Sequence, residues 1–77
     1  MKRLILVADY DMNTNMVNFR SASRSAEAMR WARLIEGKEN HICAVGAIDY
    51  EHSFDKAYVQ LKRSLKKKLV EKIKAKI

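Results

Sequence analysis

The chain has no proline, two glycines, one cysteine and one tryptophan among its 77 residues. The two glycines, Gly37 and Gly46, lie too far apart to form a glycine-rich phosphate loop, which excludes the common nucleotide-hydrolase signatures. A lone cysteine cannot form an intramolecular disulfide, so the sequence favours a reducing compartment and predicts a cytoplasmic protein. Cys43 lies inside an apolar run and is predicted to be a small buried hydrophobic residue.

Long apolar segments are also missing. The longest runs, residues 4–8 and 42–48, are far shorter than the roughly 18 residues that a membrane-spanning helix requires. The run that follows the N-terminal Met-Lys-Arg is likewise too short for a secretion signal. A single core of this size supplies only about 3 to 5 kcal/mol of stability and leaves little room for an enclosed substrate pocket. The sequence therefore predicts one small domain, residues 1–77, without a cofactor.

Charge is distributed unevenly along the chain. Residues 1–52 carry seven Lys or Arg and seven Asp or Glu, which cancel. Residues 53–77 carry nine basic and two acidic residues, which accounts for the whole net charge of +7. The domain is therefore expected to consist of a neutral body, residues 1–52, and a basic C-terminal segment, residues 53–77.

The first half of the chain has the pattern of a β-hairpin followed by a helix. The continuously apolar stretch at about residues 3–10 predicts a central strand covered on both faces. Turn-forming residues 11–15 then lead to a second strand at 16–20, in which apolar and polar residues alternate. A helix is predicted at about 24–36. Its alternative N-caps are Ser21, Ser23 and Ser25. Gly37 follows its last residue, in the position that favours a left-handed end. Trp31 is predicted to anchor the core of this helix, with ligand stacking as the alternative.

A third buried strand is predicted at residues 42–48, and a long helix begins at Ser53, with no glycine or proline to interrupt it. The order is β-β-α-β-α, an α+β fold. A right-handed crossover through the first helix predicts a three-stranded mixed sheet in the order 2-1-3. Both helices are then expected to cover one face of the sheet. The other apolar face would need a partner, which predicts a homodimer.

The C-terminal helix is predicted to be amphipathic. Its apolar stripe consists of Phe54, Tyr58, Leu61, Leu65, Leu69, Ile73 and Ile77. A spacing of four residues drifts by about 40° per step, so the stripe turns by about 160° between Leu61 and Ile77. A flat surface cannot follow it throughout. The last turns are therefore expected to leave the domain or to contact a partner.

Basic side chains fill the rest of this helix, and others lie near the start of the first helix. The candidate anion-binding residues are Lys62, Arg63, Lys66, Lys67, Lys68, Lys72, Arg20 and Arg24, with Arg30 and Arg33 as further contributors. A nucleic-acid backbone, an anionic membrane surface and an acidic protein groove all fit this pattern. The alternatives without function are a solvated helix that aids solubility and ordinary capping by serines. The excess of lysine over arginine favours phosphate contact over base recognition.

Acidic residues raise the possibility of a metal site. Asp9 and Asp11 end the first strand and Asp49 ends the third, so parallel strands would bring them together as ligands for Mg²⁺. The predicted hairpin topology makes these strands antiparallel and separates the acids. Two histidines and one buried cysteine offer no catalytic triad. The sequence therefore predicts a protein that is not an enzyme and has no metal site.

The function that the sequence favours is polyanion binding. The polyanion would be a nucleic acid or the phosphates of a nucleotide, and the lysine-rich C-terminal helix would bind it. The alternative is an inhibitor or adaptor of the type that phages and mobile elements encode, which would dock on an acidic protein surface.

Overall fold

The computed structural model describes residues 1–76, and Ile77 lies outside the described residues. The element order is that predicted from the sequence. The elements are strands β1 (Lys2–Asp11) and β2 (Met16–Ala22), helix α1 (Ser25–Glu36), strand β3 (His41–Tyr50) and helix α2 (Phe54–Lys76). Neither helix has the combination of length and apolar composition that crossing a membrane requires.

The three strands form one sheet in the order β2-β1-β3, as predicted. The central strand β1 pairs with both neighbours in antiparallel register, for example Ala8 with Phe19 of β2 and with Ala44 of β3. The sheet was predicted to be mixed because β2 and β3 run in the same direction. They do so, but β1 separates them, so both ladders of the sheet are antiparallel.

One face of the sheet packs against α2. Leu4, Leu6 and Ala8 project to this face from β1 and are buried together with Leu61, Leu65 and Leu69 of α2. Alternation along β1 explains the grouping, since every second side chain of a strand points to the same side. The predicted apolar stripe of α2 is confirmed for Leu61, Leu65 and Leu69, whereas Tyr58 and Ile73 are only partly buried and Phe54 is 46% exposed. The last position of that stripe lies outside the described residues.

The opposite face packs against α1. Ile5 and Val7 of β1 are buried there with Cys43 of β3 and with Ala28 and Ala32 of α1. The expectation that both helices cover one face is therefore wrong, because the sheet lies between them. An uncovered apolar face was the argument for a homodimer, and α1 covers that face. The homodimer stays a prediction without this support.

The helix ends differ partly from the prediction. Ser53 caps α2, with its Oγ accepting a hydrogen bond of 3.2 Å from the backbone N–H of Lys56. At α1 the serine caps are wrong, since Arg24 occupies the N-cap position and makes no side-chain capping bond. Gly37 ends α1 at φ −75° rather than in the left-handed region, and Asn40 adopts the positive φ of 62° in the following turn.

Gly46 allows α2 to lie close to the sheet. It pairs with Leu6 across β1 and β3, and a Cβ atom added to it would lie 3.0 Å from side-chain carbons of both Leu61 and Leu65. We expect Gly46→Val to lower the free energy of unfolding by about 1–3 kcal/mol, because the extra methyl groups overpack this contact. Urea denaturation followed by circular dichroism measures the change.

The matched control is Ala47→Val, at the adjacent position of β3. Ala47 is exposed and points to the other side of the sheet, so this substitution should change stability by no more than about 0.5 kcal/mol. Equal stability of Gly46→Val and the parent protein would contradict the close packing of α2 on β3.

Candidate nucleic-acid interface

Four basic residues lie in a straight line on the side of α2 that faces away from the sheet. They are Lys56, Arg63, Lys67 and Lys74, here called the outer basic row, and all are exposed. At 100° per residue, all four project within about 20° of the direction opposite the buried Leu65. Their spacings of seven, four and seven residues correspond to about 10, 6 and 10 Å along the helix axis. The row therefore spans about 27 Å.

Among the described side chains, no acidic residue forms an ion pair with the outer basic row. Every ion pair among the described side chains lies within residues 1–52. Lys66 is exposed beside the row and adds a fifth cation, while Asp55 and Glu71 are exposed acids on the neighbouring surface. This surface therefore carries five cations against two nearby acids and has a net positive charge.

The other predicted lysines of α2 are engaged with the body of the protein. Lys62 is half-buried, and its Nζ lies 5.0 Å from the ring centroid of Phe19 and 5.1 Å from that of Tyr58. Lys68 Nζ donates a hydrogen bond of 3.4 Å to the carbonyl of Val45, and Lys72 Nζ donates one to the carbonyl of Cys43.

These contacts give Lys68 and Lys72 a structural role. Strand β3 lies at the edge of the sheet, where outward carbonyl groups have no neighbouring strand to bond them. The two ammonium groups occupy those acceptors on β3 and shield the strand from pairing with another chain. Of the six residues of α2 predicted as one anion site, only Arg63, Lys66 and Lys67 thus belong to the outward surface.

Arg20 and Arg24 lie on the other side of the molecule. Arg20 projects from β2 toward α1, and its guanidinium carbon lies 4.0 Å from the ring centroid of Trp31. Arg24 directly precedes α1, and the exposed Arg30 and Arg33 lie on the outer surface of that helix. The sheet and both helix layers separate these arginines from the outer basic row. One flat ligand therefore cannot contact both sets.

Lys56 and Lys74 belong to the same row but were not among the predicted anion-binding residues. The signal was present, since 18 residues make five turns of an α-helix and return a side chain to the same direction. Counting lysines around the helix hides this alignment. The alignment becomes visible only when the basic residues that point away from Leu65 are distinguished from those beside the apolar stripe.

The acidic residues are separated as the predicted topology requires. Asp9 Oδ1 lies 2.8 Å from His41 Nδ1, and Asp11 Oδ2 lies 4.0 Å from the other ring nitrogen of His41. Asp49 is at the far end of β3, where the Arg3 guanidinium bonds it and lowers the pKa of its carboxyl group. No three His, Cys, Asp or Glu side chains in the described part of the chain are placed to hold a metal ion.

Cys43 is buried, as predicted. It is 3% exposed in the core beneath α1. Burial raises the pKa of the Cys43 thiol, and the charge of Lys72 only partly opposes this effect. The neutral thiol is therefore the form expected in the folded protein, and it acts as part of the hydrophobic core.

The chain has no significant match to any protein-family model, curated protein or solved structure.

Proposed function

We propose that the protein is a non-catalytic, cytoplasmic nucleic-acid-binding protein whose outer basic row contacts the phosphate backbone. The observation that carries this proposal is the alignment of four exposed cations on α2 that have no ion-pair partner among the described side chains. Releasing counterions from a nucleic acid drives binding to such a surface. A line of cations about 27 Å long is sufficient to contact several phosphates at once.

The composition of the row favours affinity over sequence specificity. Three of its four members are lysines, which bind phosphate as point charges, whereas recognition of base edges relies on the planar fork of arginine. The aromatic residues near α2 lie on its sheet side, where Tyr58 and Phe19 pack against the core beneath that helix. The row thus has no platform on which bases would stack. We therefore expect binding to the phosphate backbone with little preference for sequence.

An acidic protein partner is the second candidate. Val59 and Val70 are each 48% exposed and flank the outer basic row. Apolar contact at these positions would add affinity for a protein surface and little for a phosphate backbone. This combination suits an inhibitor or adaptor that docks its basic helix on an acidic protein.

The salt dependence of binding tests the first candidate. We expect the protein to bind labelled mixed-sequence duplex DNA and RNA in fluorescence anisotropy at low salt, with affinity that falls steeply as salt is added. Arg63→Gln/Lys67→Gln should reduce the slope of log K against log salt on duplex DNA by about 1.8, because each phosphate contact contributes about 0.9.

The matched control is Arg30→Gln/Arg33→Gln, which removes the same charge from the outer surface of α1. Its slope should equal that of the parent protein. An equal reduction in both variants would mean that net charge, rather than the outer basic row, determines binding. Absence of binding to every nucleic acid at low salt would overturn the proposal and favour the acidic protein partner.

A further inference from the structure

A cavity of about 250 Å³ lies between α1 and the β2 side of the sheet. Its floor is formed by neighbouring residues of the β1–β2 ladder, where Asp9 pairs with Asn18 and Val7 with Arg20. Its wall is formed by Trp31 and other residues of the second half of α1. The gap exists because α1 packs mainly on β1 and β3 and covers little of β2.

The cavity combines an aromatic wall with polar groups that have spare hydrogen-bonding capacity. His41 occupies one oxygen of the half-buried Asp9, and among the described residues no partner bonds the other oxygen. The Asn18 amide, the Arg20 guanidinium and the Lys38 ammonium group make no side-chain hydrogen bond to any described residue. An apolar pocket with a few convergent polar groups is the usual form of a small-molecule site.

The positions of these groups define the chemistry of a ligand. Arg20 and Lys38 are exposed and lie at the mouth of the cavity, where they favour an anion. Contact with the indole of Trp31 holds the Arg20 guanidinium flat, which leaves its N–H edge available for a phosphate. Asp9 lies further inside and accepts hydrogen bonds, so it favours a ligand group that donates them.

We propose that this cavity binds a single nucleotide. The phosphate is held at the mouth by Arg20 and Lys38, and the base enters beside Trp31 and donates a hydrogen bond to Asp9. Adenine, cytosine and guanine carry an exocyclic amine suited to this carboxylate, whereas uracil offers only an N3–H donor flanked by two carbonyl oxygens that repel the carboxylate. The ligand is either a free nucleotide or one unpaired nucleotide of a single strand. This site is separate from the outer basic row and does not depend on it.

Trp31 fluorescence provides a direct test, because Trp31 is the one tryptophan of the chain. The full chain is titrated with AMP, CMP, GMP, UMP, inorganic phosphate and short single-stranded oligonucleotides. We expect CMP to quench the emission saturably and to bind at least about tenfold more tightly than UMP, from one charge-assisted hydrogen bond. Tighter binding of oligonucleotides than of mononucleotides would identify a single strand as the source, and the reverse would identify the free nucleotide.

Two variants assign the signal to the cavity. Arg20→Gln should weaken CMP binding about tenfold or more, whereas Arg24→Gln, which removes the same charge outside the cavity, should leave it unchanged. Circular dichroism verifies that both variants are folded. Arg63→Gln/Lys67→Gln should not alter the quenching by CMP, so a failure of the outer basic row is distinguishable from a failure of this site.

Three results would overturn the proposal. The first is the absence of quenching by any nucleotide or oligonucleotide at millimolar concentration. The second is equal binding of inorganic phosphate and CMP, which would show that the base is not recognised. The third is unchanged CMP binding in Arg20→Gln.

Discussion

Leu65→Ala is expected to remove most of the stability of the protein. Leu65 is 0% exposed and lies at the centre of the contact between α2 and the sheet, beside Gly46. Removing its side chain should cost about 2–5 kcal/mol, the usual range for a buried leucine that leaves a cavity. A single core in a domain of this size supplies only about 3 to 5 kcal/mol in total. Urea denaturation of the variant and the parent protein measures the loss.

Two probes on opposite sides of the sheet make this experiment more informative. Far-ultraviolet circular dichroism reports mainly on α2, the longest helix, whereas the fluorescence of Trp31 reports on the side of α1. We expect both signals to be lost together, because β1 contributes side chains to both halves of the core. Val70→Ala is the control, since Val70 is 48% exposed on the same helix. This substitution should change the free energy of unfolding by less than about 0.5 kcal/mol. A Leu65→Ala protein with the same free energy of unfolding as the parent would mean that α2 is not docked on the sheet.

The strand order could be predicted from the sequence because each step follows from local rules. A strand without a polar face must be central, and the turn-forming residues 11–15 join it to an antiparallel neighbour. The right-handed crossover then leaves β3 only the free side of β1. None of these steps depends on knowing how side chains pack.

The side on which α2 packs could not be predicted from the same rules. Residues 4–8 of β1 are apolar on both faces, so they accept a helix on either. The handedness rule applies to the crossover through α1, and no such rule applies to α2, which follows the last strand. Strand β2 held a usable signal, since Val17 and Phe19 make one face of the sheet more apolar than the face of Asn18 and Arg20.

The candidate site was predicted as a set of residue types but not as a surface. Helical periodicity places Lys62, Lys68 and Lys72 within about 60° of Leu65, beside the buried stripe. Their contacts with aromatic rings and with the edge of β3 can be predicted only when the position of α2 on the sheet is known. The cavity beside Trp31 depends on a gap between α1 and β2, which no periodicity reveals.

Lys56→Glu/Arg63→Glu is expected to abolish most nucleic-acid binding while making the protein more stable. Lys56 occupies the third position of α2, where a cation opposes the helix dipole, and a glutamate there would complete a capping box with Ser53. Arg63 repels Lys67 one turn away, and a glutamate would attract it. Together these changes should raise the free energy of unfolding by about 0.5–1.5 kcal/mol. Thermal unfolding measures the gain.

Binding should change in the opposite direction. Each substitution replaces an attraction to phosphate with a repulsion, and each of these two effects is worth about 1 kcal/mol, so the two substitutions together should lower the affinity by about a thousandfold. The control Arg30→Glu/Arg33→Glu has the same net charge, since two reversals lower +7 by four to +3 in each variant. It should lose far less affinity.

The opposite signs of the two effects distinguish function from solubility. A lysine-rich helix that only keeps the protein in solution gains nothing from cations at the positions where they weaken the helix, because exposed positions elsewhere would serve as well. If the outer basic row binds phosphate, it needs cations at positions 56 and 63 to complete the line of charges. This need would explain why Lys56 and Arg63 are present although they lower the stability of the helix. A variant that is more stable and still binds nucleic acid like the parent protein would refute this role for the row.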